Sequence, residues 1–114
     1  MIIEDDPAIR TVMGIVLEDA GYRVTMARDG RDALKLLEHE APGLILLDAR
    51  MPVMDGREFS RQLHARWHHK VPIITVTADT HPAELAADLE ADDYLEKPFD
   101  IDELVDMVRG HFPL

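Results

Sequence analysis

Leu44-Ile45-Leu46-Leu47-Asp48 is an unbroken apolar run that ends on a carboxylate. Four apolar residues without alternation read as a strand buried on both faces, the kind found inside a parallel sheet. A charge directly after such a run marks the carboxyl edge of the strand, where ligands gather in open α/β folds. The same punctuation recurs along the chain. Glu4-Asp5-Asp6 follows Met1-Ile2-Ile3, Thr77 follows the run Ile73 to Val76, and Lys97 follows Asp93-Tyr94-Leu95-Glu96. An acidic pair, a central aspartate, a hydroxyl and a lysine, each ending a different strand, make one site.

Helical periodicity fills the intervals between these strands. Asp6-Pro7 is a capping carboxylate followed by proline at the first helical position, and Ile9, Val12, Met13, Val16, Leu17 and Ala20 are spaced to face inward until Gly21 ends the helix. Tyr22 to Ala27 is strand-like. Asp29-Gly30 leads into a second helix with Ala33, Leu34, Leu37 and Ala41 inward, broken by Pro42-Gly43. Asp55-Gly56 opens a third carrying Phe59, Leu63 and Trp67. Val71 to Val76 is a strand with Pro72 at its entrance, where proline is tolerated. A fourth helix is predicted from Pro82 to Glu90, a short strand from Asp93 to Leu95, and a last helix with Ile101, Leu104, Val105, Val108 and Phe112 inward.

Alternating strands and helices imply a doubly wound, five-stranded parallel sheet covered by five helices, with right-handed crossovers. At 114 residues this fills a single domain, 1–114, with no internal repeat and no further domain expected after Leu114. The first strand is the weak element, because only three residues precede Glu4.

The absence of cysteine excludes disulfides and thiolate metal sites. No segment is long and apolar enough to cross a bilayer and no signal-peptide pattern opens the chain, so a cytoplasmic location without a membrane partner is expected. A net charge of -11 argues against direct nucleic-acid binding, which needs a basic surface.

Glu4, Asp5 and Asp48 would crowd three carboxylates into one crevice, where mutual repulsion disfavours ionisation. A hard divalent cation relieves it, and oxygen ligands with retained waters suit Mg²⁺. Asp5 and Asp48 are the expected direct ligands, with Glu4 acting directly or through water. Each of these residues has a plainer use by itself, as a cap, a turn former or a solvated charge. Asp6 satisfies the helix cap alone, which leaves Glu4 and Asp5 without a local task. His64 and His68 have the helical spacing of metal ligands, yet no acidic residue lies near them in sequence, and they read as a solvated helix end.

Taken together, the stretches IIEDDPAIR (2–10), GYRVTMARDGRDAL (21–34), LILLDARMPVMDG (44–56), ITVTA (74–78) and DDYLEKPF (92–99) resemble the receiver domain of two-component response regulators, in order and spacing, over essentially the whole chain. The resemblance implies a flavodoxin-like sheet of order 2-1-3-4-5. It implies that Asp48 accepts a phosphoryl group from a phosphohistidine on a sensor kinase or phosphotransfer protein, with Mg²⁺ held by Glu4, Asp5, Asp48 and the backbone carbonyl of Arg50. Lys97 and Thr77 would then contact the phosphoryl oxygens. It further implies a cis Lys97-Pro98 bond and a Thr77–Tyr94 switch. The change would be read by a downstream protein on the face of the fourth helix, last strand and last helix. Such a domain signals; it is not an enzyme turning over external substrates.

The chain departs from the family pattern in places. Gly43 replaces an acidic residue, and Glu90 stands where glycine is usual. The last helix shows Asp102, Glu103 and Asp106 outward with Arg109 as its basic counterpart, which disfavours a symmetric salt-bridged dimer. A haloacid dehalogenase-type hydrolase would need an aspartate where Arg50 stands. A flavodoxin would need a phosphate-cradling first loop, which Glu4-Asp5-Asp6 would repel. A receiver-like module without phosphorylation is disfavoured by the intact set Asp5, Asp48, Thr77 and Lys97. Arg50 and Asp79 each lie two residues beyond a site residue on adjacent loops, and are expected to meet across the entrance as a gate.

Overall fold

A computed structural model describes residues 1–51, 54–66 and 71–114. Its elements run β1 (Ile2–Ile3), α1 (Pro7–Asp19), β2 (Met26–Ala27), α2 (Gly30–Leu37), β3 (Ile45–Asp48), α3 (Gly56–Arg66), β4 (Ile73–Thr77), α4 (Pro82–Asp88), β5 (Asp93–Glu96) and α5 (Ile101–His111). The strands form one parallel sheet in the order β2-β1-β3-β4-β5. This is the flavodoxin-like order implied by the family resemblance.

The period-two geometry of a strand divides the apolar runs between two cores. Ile2, Leu46 and Ile74 face α1 and α5, where Met13, Leu17, Leu104 and Val108 meet them. Ile3, Ile45, Leu47 and Ile73 face the other way, onto Ala33, Leu37, Phe59 and Leu63 of α2 and α3. Burial on both faces is why β3 and β4 carry no polar alternation.

Helix starts follow their caps. The Asp6 carboxylate accepts the Ala8 and Ile9 N–H groups at 2.9 and 3.2 Å. Asp29 accepts from Asp32 N–H at 2.8 Å, and the Asp100/Glu103 capping box opens α5. Gly21 follows α1 at φ 101°, a left-handed conformation that glycine adopts without a Cβ penalty.

Several expectations are corrected. β2 covers only Met26–Ala27 rather than Tyr22 to Ala27. Val12 is 49% and Ile101 56% exposed, because α1 and α5 bury narrower stripes than their apolar spacing suggests, and Phe112, just past the end of α5, is half-exposed. Ala41 lies beyond α2 and is exposed, and α4 ends at Asp88. Trp67 and His68 lie outside the described residues. Glu90 takes φ 55°, so the left-handed position is kept without glycine.

Candidate functional site

Strand register brings the site together. Ile3 pairs with Leu47, Asp48 with Val76, and Thr77 with Glu96. Glu4, Asp48, Thr77 and Lys97 therefore arrive side by side at the carboxyl edge of four neighbouring strands. The loop after β3 is tied back tightly: Gly56 N–H donates to Ala49 C=O at 3.0 Å. A Cβ on Gly56 would lie 2.9 Å from Ala49 Cα, so α3 can start this close to β3 only without a side chain.

Carboxylate oxygens of Glu4, Asp5 and Asp48 all lie within 4.8 Å of one another. Glu4 is 1% exposed and Asp48 6%, whereas Asp5 is open to solvent. The Lys97 ammonium pairs with Glu4 and stands 3.7 Å from Asp48 Oδ2. Asp48 Oδ1 accepts the Arg50 N–H at 3.1 Å. Burial, then hydrogen bonding to the Glu4 carboxyl group, raises the Asp48 pKa to about 8, with Asp5 adding to the rise. Asp5 moves downward: partial burial opposes the shift, but hydrogen bonds with Asp48 and Glu4 outweigh it.

Beside Asp48 opens a cleft of about 370 Å³, lined by Thr77, Ala78, Thr80 and Lys97 with Arg50 and Asp79 at its mouth. The Thr77 hydroxyl accepts from Asp79 N–H at 3.1 Å, and Lys97 N–H donates to Thr77 C=O at 2.8 Å. The Arg50 guanidinium pairs with the Asp79 carboxylate, as the loop positions led us to expect. A backbone hydrogen bond from His81 and the Arg50 pair hold Asp79 below the usual carboxylate range. The Lys97-Pro98 bond is cis.

Asp6 is occupied with its helix cap. Tyr94 is half-buried on β5, opposite Thr75. His64 has a partner that sequence proximity did not show, Glu90, at 3.4 Å. Two contacts at the site were also not foreseen. The Glu4–Lys97 pair depends on side-chain reach across the two strands, β3 and β4, that lie between them. Arg10, one turn into α1, donates to Glu4 C=O at 2.8 Å and ties the acidic loop to that helix.

The model of the response regulator receiver domain matches residues 1–109. The chain belongs to that family. It is 40% identical over 112 residues to the response regulator MprA of Mycolicibacterium vanbaalenii, covering 96% of this chain and 48% of that protein. It is 43% identical over 100 residues to the transcriptional regulatory protein AfsQ1 of Streptomyces coelicolor, covering 86% of this chain and 44% of that one. The chain thus spans about half the length of these curated relatives.

Solved receivers share its shape. The receiver domain of a sensor histidine kinase from Pseudomonas aeruginosa, with a magnesium ion coordinated in its active-site cleft, superposes at a TM-score of 0.87 with 35% identity, covering 96% of this chain and 93% of that one. The chemotaxis response regulator CheY4 of Vibrio cholerae superposes at 0.89 with 32% identity, covering 97% and 95%. This receiver therefore belongs to two-component signalling, in which phosphoryl acceptance is general for the family.

Proposed function

We propose that residues 1–114 form one receiver unit in which Asp48 takes a phosphoryl group from the phosphohistidine of a sensor histidine kinase or phosphotransfer protein. The observation that carries this reading is the convergence of Glu4, Asp5, Asp48, Thr77 and Lys97 at one sheet edge. An Asp48 oxygen attacks phosphorus in line, the P–N bond breaks, and the histidine nitrogen leaves with the bonding pair and takes up a proton. The product is an acyl phosphate. Water later attacks phosphorus and restores the carboxylate with release of inorganic phosphate, so the domain cycles as a signal rather than turning over an external substrate.

The donor set fits Mg²⁺: three carboxylates crowd one point, and the lysine nearby is shared between two of them. Asp5 and Asp48 would hold the ion, with Glu4 directly or through water and the Arg50 carbonyl completing the set. When bound, it neutralises the carboxylates and the incoming phosphoryl oxygens. Lys97 offers its ammonium to those oxygens. The Thr77 hydroxyl, now an acceptor from Asp79 N–H, keeps its own hydrogen to donate. Movement of Thr77 toward the phosphoryl group would leave room for Tyr94 to turn inward, altering the α4-β5-α5 face read by a downstream protein.

The Arg50–Asp79 pair lines the cleft beside Asp48, and we read it as a gate across the path of the attacking water that lengthens the phosphorylated state. Replacing both residues with alanine should speed phosphate loss, with each single change giving much of the effect; unchanged or slower loss overturns the gate alone. No helix among the described residues is long and apolar enough to cross a membrane. With a net charge of -11, we place the domain in the cytoplasm with protein partners rather than nucleic acid. The receiver reading is tested with acetyl phosphate: one phosphoryl group per chain should be incorporated with Mg²⁺ and none with a chelator. Equal incorporation under both conditions would overturn the metal-dependent mechanism.

A further inference from the structure

Asp5 is the exposed member of the three-carboxylate crevice, and its acidic neighbours there are Glu4 and Asp48. Those two are buried and have the Lys97 ammonium beside them. An exposed aspartate next to two acidic groups has room to turn away into solvent, and repulsion between ionised carboxylates favours that turn. Whatever keeps Asp5 facing the crevice must therefore act on the backbone that carries it.

That backbone is held from two sides. Glu4 N–H donates to Ala27 C=O at 3.0 Å, one residue past the last paired position of β1, Ile3 with Ala27. Glu4 C=O belongs to the peptide that bears Asp5, and it accepts from the Arg10 guanidinium at 2.8 Å. Arg10 is half-buried, one turn into α1. The turn is itself fixed: the Asp6 carboxylate accepts Ala8 and Ile9 N–H, and Arg10 N–H donates to Asp6 C=O at 2.9 Å. Asp5 thus lies between the end of a strand and the start of a helix, with the Arg10 side chain closing the two together.

We infer that Arg10 is a positioning residue for the cation site: by clamping the Glu4 carbonyl it aims Asp5 at Asp48 and presets the donor set. The inference rests on the Mg²⁺ reading given above and adds to it a residue that is not itself a ligand. Two modes of action are open to a guanidinium here, and they have opposite signs. A cation behind three carboxylates competes with Mg²⁺, so a residue acting through its charge alone would weaken metal binding, and its removal would strengthen it. A clamp does the reverse, because a preformed site loses affinity when the support of a ligand is released. The bond to Glu4 C=O favours the clamp.

The test is calorimetric titration of Mg²⁺ into the wild-type chain and the Arg10→Met and Arg10→Lys variants. Methionine keeps a long stem and a good helix preference while losing the donor, and Arg10→Met should bind Mg²⁺ about tenfold more weakly. Lysine carries a donor on a similar stem, and Arg10→Lys should recover most of the loss. In the metal-free proteins, amide exchange at Glu4, Asp5 and Asp6 should quicken in Arg10→Met while the amides of β3 and β4 keep their protection. A general loss of stability would not produce that local release. With acetyl phosphate, Arg10→Met should need more Mg²⁺ yet reach wild-type labelling at saturation. Unchanged or tighter Mg²⁺ binding by Arg10→Met, or no recovery with lysine, would overturn the clamp alone. A wild-type chain that binds no Mg²⁺ would overturn the metal reading and the clamp with it.

Discussion

The Lys97 ammonium pairs with Glu4 while standing 3.7 Å from Asp48 Oδ2, so one cation from the edge strand β5 serves two buried carboxylates on β1 and β3. Lys97→Met should therefore uncover repulsion as well as remove a phosphoryl contact. We expect a loss of about 1–3 kcal/mol in urea unfolding, below the figure for a fully buried pair because Lys97 retains some solvent access. Mg²⁺ should recover part of it. Full stability in the metal-free variant would contradict the shared-cation geometry.

Asp5 and Asp6 are adjacent in sequence and opposite in use. Asp6→Ala should cost about 1 kcal/mol through loss of the α1 cap and leave Mg²⁺ affinity nearly intact. Asp5→Ala should weaken Mg²⁺ binding strongly with little effect on stability. Calorimetric titration and denaturant unfolding separate the two, and comparable losses of Mg²⁺ affinity would refute the division.

Two glycines should differ in tolerance. At Gly56 a new Cβ meets the Ala49 backbone at 2.9 Å, which cannot yield without moving β3 or α3, so Gly56→Ala should cost about 1–3 kcal/mol. At Gly43 the clash is with the Phe112 ring, a half-open side chain just past α5 that can swing aside. Gly43→Ala should cost less than Gly56→Ala in thermal unfolding; the reverse order would contradict the packing described.

The parallel strands, the helices and the edge residues Glu4, Asp5, Asp48, Thr77 and Lys97 were legible because buried parallel strands leave long apolar runs and put their polar residues at one end; the strand order came from the family resemblance instead. Tyr22 to Thr25 looked like part of a strand, yet β2 is confined to Met26–Ala27, the residues in register with Ile2 and Ile3. A local pattern cannot report which of its residues find a partner. Val12, Ile101 and Phe112 show a second limit: helical spacing reveals a face but not how much of it the sheet covers. The Glu4–Lys97 and His64–Glu90 pairs depend on tertiary placement, 93 and 26 residues apart, and left no local signal.

Glu90 holds φ 55° after α4, a conformation costly for a residue with a Cβ. Its pairing with His64 is largely exposed and worth little. Glu90→Gly should stabilise the domain by about 0.5–1 kcal/mol, the relief exceeding the added freedom of the unfolded chain. Glu90→Ala should not. A less stable glycine variant, judged by its denaturation midpoint, would mean that the His64 contact carries more than its exposure suggests.

The central claim is that Asp48 is the phosphoacceptor, and mass spectrometry after treatment with acetyl phosphate and Mg²⁺ tests it most directly. The account predicts a single base-labile acyl phosphate on the peptide containing Asp48, absent in Asp48→Asn because an amide is not a nucleophile toward phosphorus. Phosphate on another residue of the wild-type chain, or undiminished labelling of the Asp48→Asn variant, would contradict it.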